Sequence, residues 1–141
     1  IGQGAEALTE TDGGGIIFTG FVDARAAVKP NLSDYLSASD VVLVPLDSGS
    51  GTRLKIVEAA SNARPVVSTR IGAEGQSFVQ DEEILLTEEV DQAFVDATLR
   101  LLADPDLRER LGSAARTKVL ARYSWQAQVR KMEQVYEELG V

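Results

Sequence analysis

The chain has 141 residues, 44% of them hydrophobic, with 14 basic and 22 acidic side chains and a formal charge of -8. That length and apolar content suffice for one globular unit with a sizeable core, and the negative charge repels phosphate backbones at long range, against general nucleic-acid binding. With no cysteine and no histidine, thiol nucleophiles, disulfides, imidazole bases and the usual zinc ligands are removed, so chemistry falls to carboxylates, hydroxyls, cations and backbone amides.

Apolar runs such as Val41-Val42-Leu43-Val44 are far shorter than the ~20 residues that cross a bilayer, and the chain reads as soluble. It opens at Ile1 inside a strand-to-turn passage, IGQGAE, which leads to the expectation that the natural protein begins earlier. The first strand is expected at IIFTG, Ile16 to Gly20, short and central, bounded by glycines. A short helix follows Pro30, with Leu32, Tyr35 and Leu36 on one side. VVLVP, Val41 to Pro45, does not alternate and reads as a strand buried on both faces. SGSGTRLKIVEAA, Ser48 to Ala60, runs a small-residue loop into a helix, with Ser50 or Thr52 as candidate N-cap. A third strand is expected at Val66 to Ser68, entered through Pro65, and a weak fourth at Ile84 to Leu86.

The last third is helical. Phe94, Thr98, Leu101 and Leu102 recur at helical spacing, as do Leu107, Leu111, Ala115 and Val119. Between the two sets Asp104 is the expected N-cap and Pro105 the first helical residue. A final helix is expected after a Ser124 cap, burying Val129, Met132, Tyr136 and Leu139. Strands separated by helices require crossover connections, so the fold class is α/β: a Rossmann-like parallel sheet flanked by helices, with a helical C-terminal third.

In such sheets ligands collect at the carboxyl ends of the strands, here Gly20 to Val22, Asp47 to Arg53 and Thr69 to Gly75. The loop of Ser48 to Ala60 lacks the lysine ending of a P-loop and the third glycine of a dinucleotide fingerprint. It does offer free amides near Thr52, Arg53 and Leu54 and a positive helix end to a diphosphate, or else a plain cap. Glu58 interrupts an apolar run within the helix. As a carboxylate it is an acceptor suited to two adjacent sugar hydroxyls, or a solvated acid paired with Lys55. Asp104-Pro105-Asp106 has the D-x-D spacing of a metal and nucleotide-sugar motif, but its place at a helix start favours capping and dipole complementarity. The acids Asp81, Glu82, Glu83, Glu88 and Glu89 read as a solvated edge.

In order and spacing, FTGFVD, LSASDVVLVPLDSGSGTRLKIVEAASNARPVVST, IGAEG, DPDLRERLGSAAR and YSWQ together resemble glycosyltransferase family 4, over nearly the whole chain. The resemblance implies the C-terminal, donor-binding half of a two-domain GT-B enzyme, entered one strand and helix late. The single domain 1–141 is then a fragment of a longer chain, without its acceptor domain and with little or no transferase activity alone. It implies a base pocket at Gly20, Phe21 and Val22, and pyrophosphate contacts from the amides of Gly51, Thr52, Arg53 and Leu54. Glu58 matches the second acid of the family's E-x7-E motif, which binds the donor ribose; the first falls at Ser50, and Arg53 replaces a usual glycine. Arg53 and Lys55 are either diphosphate contacts or surface cations.

The activity implied is retaining transfer from a UDP-, GDP- or ADP-sugar, with no cofactor and no metal, amides and cations meeting the leaving phosphate's charge. No nucleic-acid partner is expected. The expected location is cytoplasmic, with any membrane-surface association made through the absent half. A noncatalytic Rossmann-like binding module and a GT-B nucleotide-sugar epimerase are the alternatives.

Overall fold

The computed structural model describes residues 15, 17, 19, 22, 30–49, 51 and 53–140. The chain divides into two units, Ile1–Tyr35 and Leu36–Val141. In the first, Ile17 and Thr19 are the described residues of the expected strand Ile16 to Gly20; neither lies in a strand, and Ile17 is 83% exposed. Helix α1, Leu32–Ala38, starts on a reciprocal cap that satisfies two end amides at once. The Asn31 amide donates to Asp34 Oδ2 at 2.9 Å and the Asp34 amide to Asn31 Oδ1 at 3.1 Å.

Three short aliphatic runs build the sheet of the second unit: β1, Val42–Val44, β2, Val66–Thr69, and β3, Leu85–Thr87. All pair in parallel, in the order β1-β2-β3, with Val42 opposite Val66 and Val67 opposite Leu85. Central β2 is buried along its whole length. Strand β1 corrects the expectation of burial on both faces: it is an edge strand of the described sheet, and Leu43 is 46% exposed. An unbroken apolar run does not distinguish an edge from a centre.

Helix α2, Leu54–Ser61, carries the chain from β1 back to β2; α3, Gln92–Ala103, α4, Pro105–Arg122, and α5, Trp125–Leu139, follow β3. Because side chains alternate along a strand, β2 and β3 serve two cores. Val66 of β2 and Ile84, just before β3, join Ile56, Ala59, Ala115 and Val119 on one face; Val67 and Leu85 join Phe94, Leu101, Leu107 and Leu111 on the other. The long helix α4 contributes to both. Fully burying a leucine such as Leu101 or Leu111 stabilises by roughly 1.5–3 kcal/mol, so these two positions fix α3 and α4 to the sheet.

The starts of α3, α4 and α5 are capped by their own sequence. Asp91 accepts from the Ala93 amide at 3.0 Å, Asp104 from the Leu107 amide at 2.9 Å with Pro105 first in α4, and Ser124 from the Ala127 amide at 3.2 Å. The last two caps are those expected. The expected buried stripe of α5 is corrected: Val129, Met132, Tyr136 and Leu139 are exposed, and Ala127 is the buried residue of α5. The 3.6-residue period reports that a helix has an apolar face, not that another element covers it.

The acidic edge is corrected in part. Glu83 accepts from the Val79 amide at 2.7 Å and pairs with Lys118 of α4, the two side chains only 15% and 14% exposed. Lys118 also donates to Ser77 O and lies 5.7 Å from the centre of the Phe78 ring, which stacks on Tyr123. The pair ties the β2-to-β3 crossover to α4. Glu88 with Arg70 and Asp81 with Arg100 stay at the surface, as expected.

Candidate functional site

The carboxyl ends of β1 and β2 lie side by side, and the hydroxyls that end β2 tie their loops together. Thr69 Oγ1 donates to Leu46 O in the loop after β1 and accepts from the Gly72 amide at 3.0 Å in the turn after β2. Ser68 Oγ donates to Thr69 O at 2.9 Å and to Val44 O at 3.3 Å. A Cβ on Gly72 would lie 3.0 Å from Val44 O and 3.1 Å from Thr69 Oγ1, and closer still to Ser68 Oγ. Only glycine fits there without moving this hydroxyl pair.

Between β1 and α2 the loop turns through Gly49 and Gly51, at φ 129° and 94°. These values lie in the region that side chains with a Cβ avoid. The helix then begins at Leu54, with Arg53 at the N-cap position, and the Arg53 side chain does not cap it. Ser50 and Thr52, the candidate caps, lie outside the described residues. Among the described residues, the first bond at this helix end runs from the Ile56 amide to Arg53 O at 3.2 Å. Among the described residues the Leu54 and Lys55 amides have no backbone partner, as befits a helix start.

Arg53 is not a surface cation. It is 9% exposed; its Nη2 donates to Gly49 O at 2.8 Å and its Nε to Ile71 O at 3.3 Å. Its own carbonyl accepts from Gln76 Nε2 at 2.7 Å. Lys55 and Leu54 are exposed on the first turn. Glu58 is half-buried one turn on; its burial pushes the carboxyl above the ordinary carboxylate range, and the charge of Lys55 opposes that shift. Its backbone carbonyl accepts from Asn62 Nδ2 at 2.9 Å and Ser61 Oγ at 2.7 Å.

The structure thus brings Gly51, Arg53, Leu54, Lys55 and Glu58 onto one loop and helix start at the sheet's carboxyl edge. Ser50, Thr52, Gly20 and Phe21 lie outside the described residues, and Val22, in the first unit, is half-buried. Sequence reading marked Thr69 to Gly75 as a strand end but missed the individual roles of Thr69 and Gln76, which depend on contacts with β1 and α2. Among the described residues, no group of three or more acids gathers as metal ligands, and Asp104 is engaged as a cap.

A cleft of about 470 Å³ opens at the opposite edge of the sheet, lined by Asp40, Arg64, Pro65, Arg108 and Arg116 among others. Arg64 donates there to Ser39 O and Asn62 O, just past α1 and α2, and Arg108 to Leu101 O and Leu102 O at the end of α3. Cations suit helix C-termini, so these two arginines complete the fold rather than mark a ligand site.

Residues 1–104 match the family described as glycosyl transferases group 1. The chain is 34% identical to a D-inositol 3-phosphate glycosyltransferase of Corynebacterium urealyticum over 77% of its own length and 25% of that protein's. The corresponding enzyme of Corynebacterium diphtheriae is 33% identical over 86% of the chain and 28% of that protein. The chain therefore spans about a quarter of these relatives. Among solved structures it is similar to the C-terminal domain of a glycosyl transferase group 1 family protein from Francisella tularensis, with TM-score 0.67 and 27% identity, covering 78% of this chain and 54% of that one. It is also similar to sucrose-phosphate synthase from Thermosynechococcus elongatus, with TM-score 0.64 and 32% identity over 74% and 26%. The parallel sheet with helices on both faces and a helical C-terminal region is that of the C-terminal domains of GT-B glycosyltransferases. By sequence and by fold, this chain belongs to the glycosyl transferases group 1 family.

Proposed function

We propose that the chain is the donor-binding half of a retaining, metal-independent glycosyltransferase that takes a sugar from a UDP-, GDP- or ADP-sugar. The observation that carries this reading is Glu58, a half-buried carboxylate on α2 directly beyond a glycine loop and the open amides of Leu54 and Lys55. Amides at a helix start suit a diphosphate, and a carboxylate one turn on suits the two hydroxyls of the attached ribose. Its raised pKa fits an acceptor held in a partly dry wall and in need of donors.

As the sugar leaves, charge builds on the terminal phosphate. In this reading it is met by the Gly51 to Leu54 backbone, the positive end of α2 and the Lys55 ammonium, preorganised rather than recruited. Arg53 contributes its backbone to that rim, while its guanidinium serves the carbonyls of Gly49 and Ile71. The acceptor binds a second domain of a longer protein, and that domain makes any contact with a membrane surface. No helix among the described residues is long and apolar enough to cross one.

Calorimetric titration of the full-length protein with UDP, GDP and ADP tests the reading. One of them binds, and more weakly after Glu58→Ala; binding of none returns the chain to a noncatalytic module. Product analysis with and without acceptor then separates transfer from epimerisation. The 141-residue chain alone gives no turnover, and robust transfer by it overturns that part of the reading.

A further inference from the structure

The most heavily engaged side chain at the carboxyl edge is one that a ligand-binding role would leave open. Arg53 is 9% exposed, and it joins two segments far apart in sequence, the loop after β1 and the turn after β2. The guanidinium donates backward to Gly49 O at 2.8 Å and forward across the sheet edge to Ile71 O at 3.3 Å. The Arg53 carbonyl receives Gln76 Nε2 at 2.7 Å while also accepting the first amide bond of α2.

Two further details show that the surroundings are shaped to this arrangement. A Cβ on Gly49 would lie 3.2 Å from Arg53 Nη1, so glycine there leaves room for the guanidinium as well as providing its φ of 129°. Among the described residues Gln76 Oε1 is buried with no partner, while its Nε2 is tied to Arg53 O.

We propose that Arg53 is a positioning residue: it clamps the loop after β1 to the turn after β2, so that the open amide end of α2 and Glu58 are fixed before any ligand arrives. The identity of that ligand rests on the donor-site reading above; the clamp itself does not. Arginine suits the task because its planar fork donates in two directions from one rigid group, whereas a lysine ammonium carries the same charge as a compact point. A lysine at position 53 therefore keeps the charge and loses the clamp.

That difference supplies the test. Arg53→Lys, Arg53→Met and Gln76→Leu are made in the full-length protein, and amide hydrogen exchange is followed without nucleotide over residues 47–54 and 71–76. Both Arg53 variants speed exchange in the two segments together, by about 10-fold or more, while β2 and the middle of α4 exchange as before. Gln76→Leu acts in the same direction, more weakly. Affinity for whichever of UDP, GDP or ADP binds the native protein falls by a similar factor in Arg53→Lys and Arg53→Met.

A lysine variant with native exchange and native affinity shows that charge alone matters and overturns the proposal, as does loosening of one segment without the other. If Arg53→Met does not fold, Arg53→Lys and Gln76→Leu carry the comparison. If the native protein binds no nucleotide, the donor-site reading falls and the exchange measurement still decides the clamp.

Discussion

Replacing Gly112 by alanine sets helix propensity against steric fit, and the structure decides the sign. Gly112 lies in the interior of α4, where alanine is favoured over glycine by about 1 kcal/mol. At this point, however, α4 crosses the turn that leaves α2. A Cβ on Gly112 would lie 2.8 Å from the Ala63 carbonyl carbon and closer still to its oxygen, where ordinary contact begins at 3.4 Å. The obstacle is backbone rather than a flexible side chain, and it is held: the Ala63 amide donates to Ala60 O at 2.9 Å, and Ala63 itself has φ 54°.

Overpacking of this kind costs roughly 1–3 kcal/mol, with the upper end apt where the neighbour is fixed, so a net loss of about 2 kcal/mol remains after the propensity gain. Urea unfolding followed by far-UV circular dichroism reads this as a lower midpoint with unchanged slope. For a unit of about 100 residues the loss corresponds to a Tm lower by roughly 8–16 °C. A neutral or stabilising Gly112→Ala would refute the close crossing of α4 over Ala63.

Three other substitutions probe the same framework. Ala63→Gly relieves a left-handed backbone conformation that carries a penalty of roughly 1 kcal/mol for residues with a Cβ, and raises the urea midpoint accordingly. Glu83→Gln leaves the mostly buried Lys118 without its counter-charge and lowers stability by about 1–3 kcal/mol; a double-mutant cycle with Lys118→Met returns a coupling that 0.5 M salt scarcely changes. Glu58→Gln tests the raised carboxyl. Folding favours the protonated form of this group, so its contribution is fully present below the unfolded pKa and is lost as pH rises through the higher folded value. The glutamine variant is thus slightly more stable than native near neutral pH, and the difference disappears in acid.

Much of the fold was legible because it is written locally. Asp104-Pro105 and Ser124 announce helix starts through bonds to amides three residues away, and Val66 to Ser68 reads as a strand because β-branched residues enter it through a proline. The candidate site was placed from strand ends alone. What stayed hidden depends on partners distant in sequence. Glu83 and Lys118 are 35 positions apart, so a buried pair looks like part of an acidic run. Gly112 and Ala63 meet only where α4 crosses the exit of α2.

The exposed stripe of α5 and the position of β1 at the edge of the described sheet show the same limit from the other side. Periodicity identifies an apolar face, and the neighbouring elements determine whether it is covered. Arg53 was the most instructive case. At the boundary between a loop and a helix, an arginine serves equally well as ligand, surface charge or internal clamp, and the carbonyls of Gly49 and Ile71 distinguish them.

The central claim is that Glu58 grips the ribose of a nucleotide donor. It is tested most directly by comparing affinities for the ribonucleoside diphosphate that binds and its 2′-deoxy counterpart, in native protein and in Glu58→Ala. A hydrogen bond to a charged acceptor contributes about 1.5–3 kcal/mol, so the native protein prefers the ribonucleotide by roughly 10- to 100-fold and the alanine variant binds both alike. A native protein indifferent to the 2′-hydroxyl, or a variant that keeps the preference, contradicts the account.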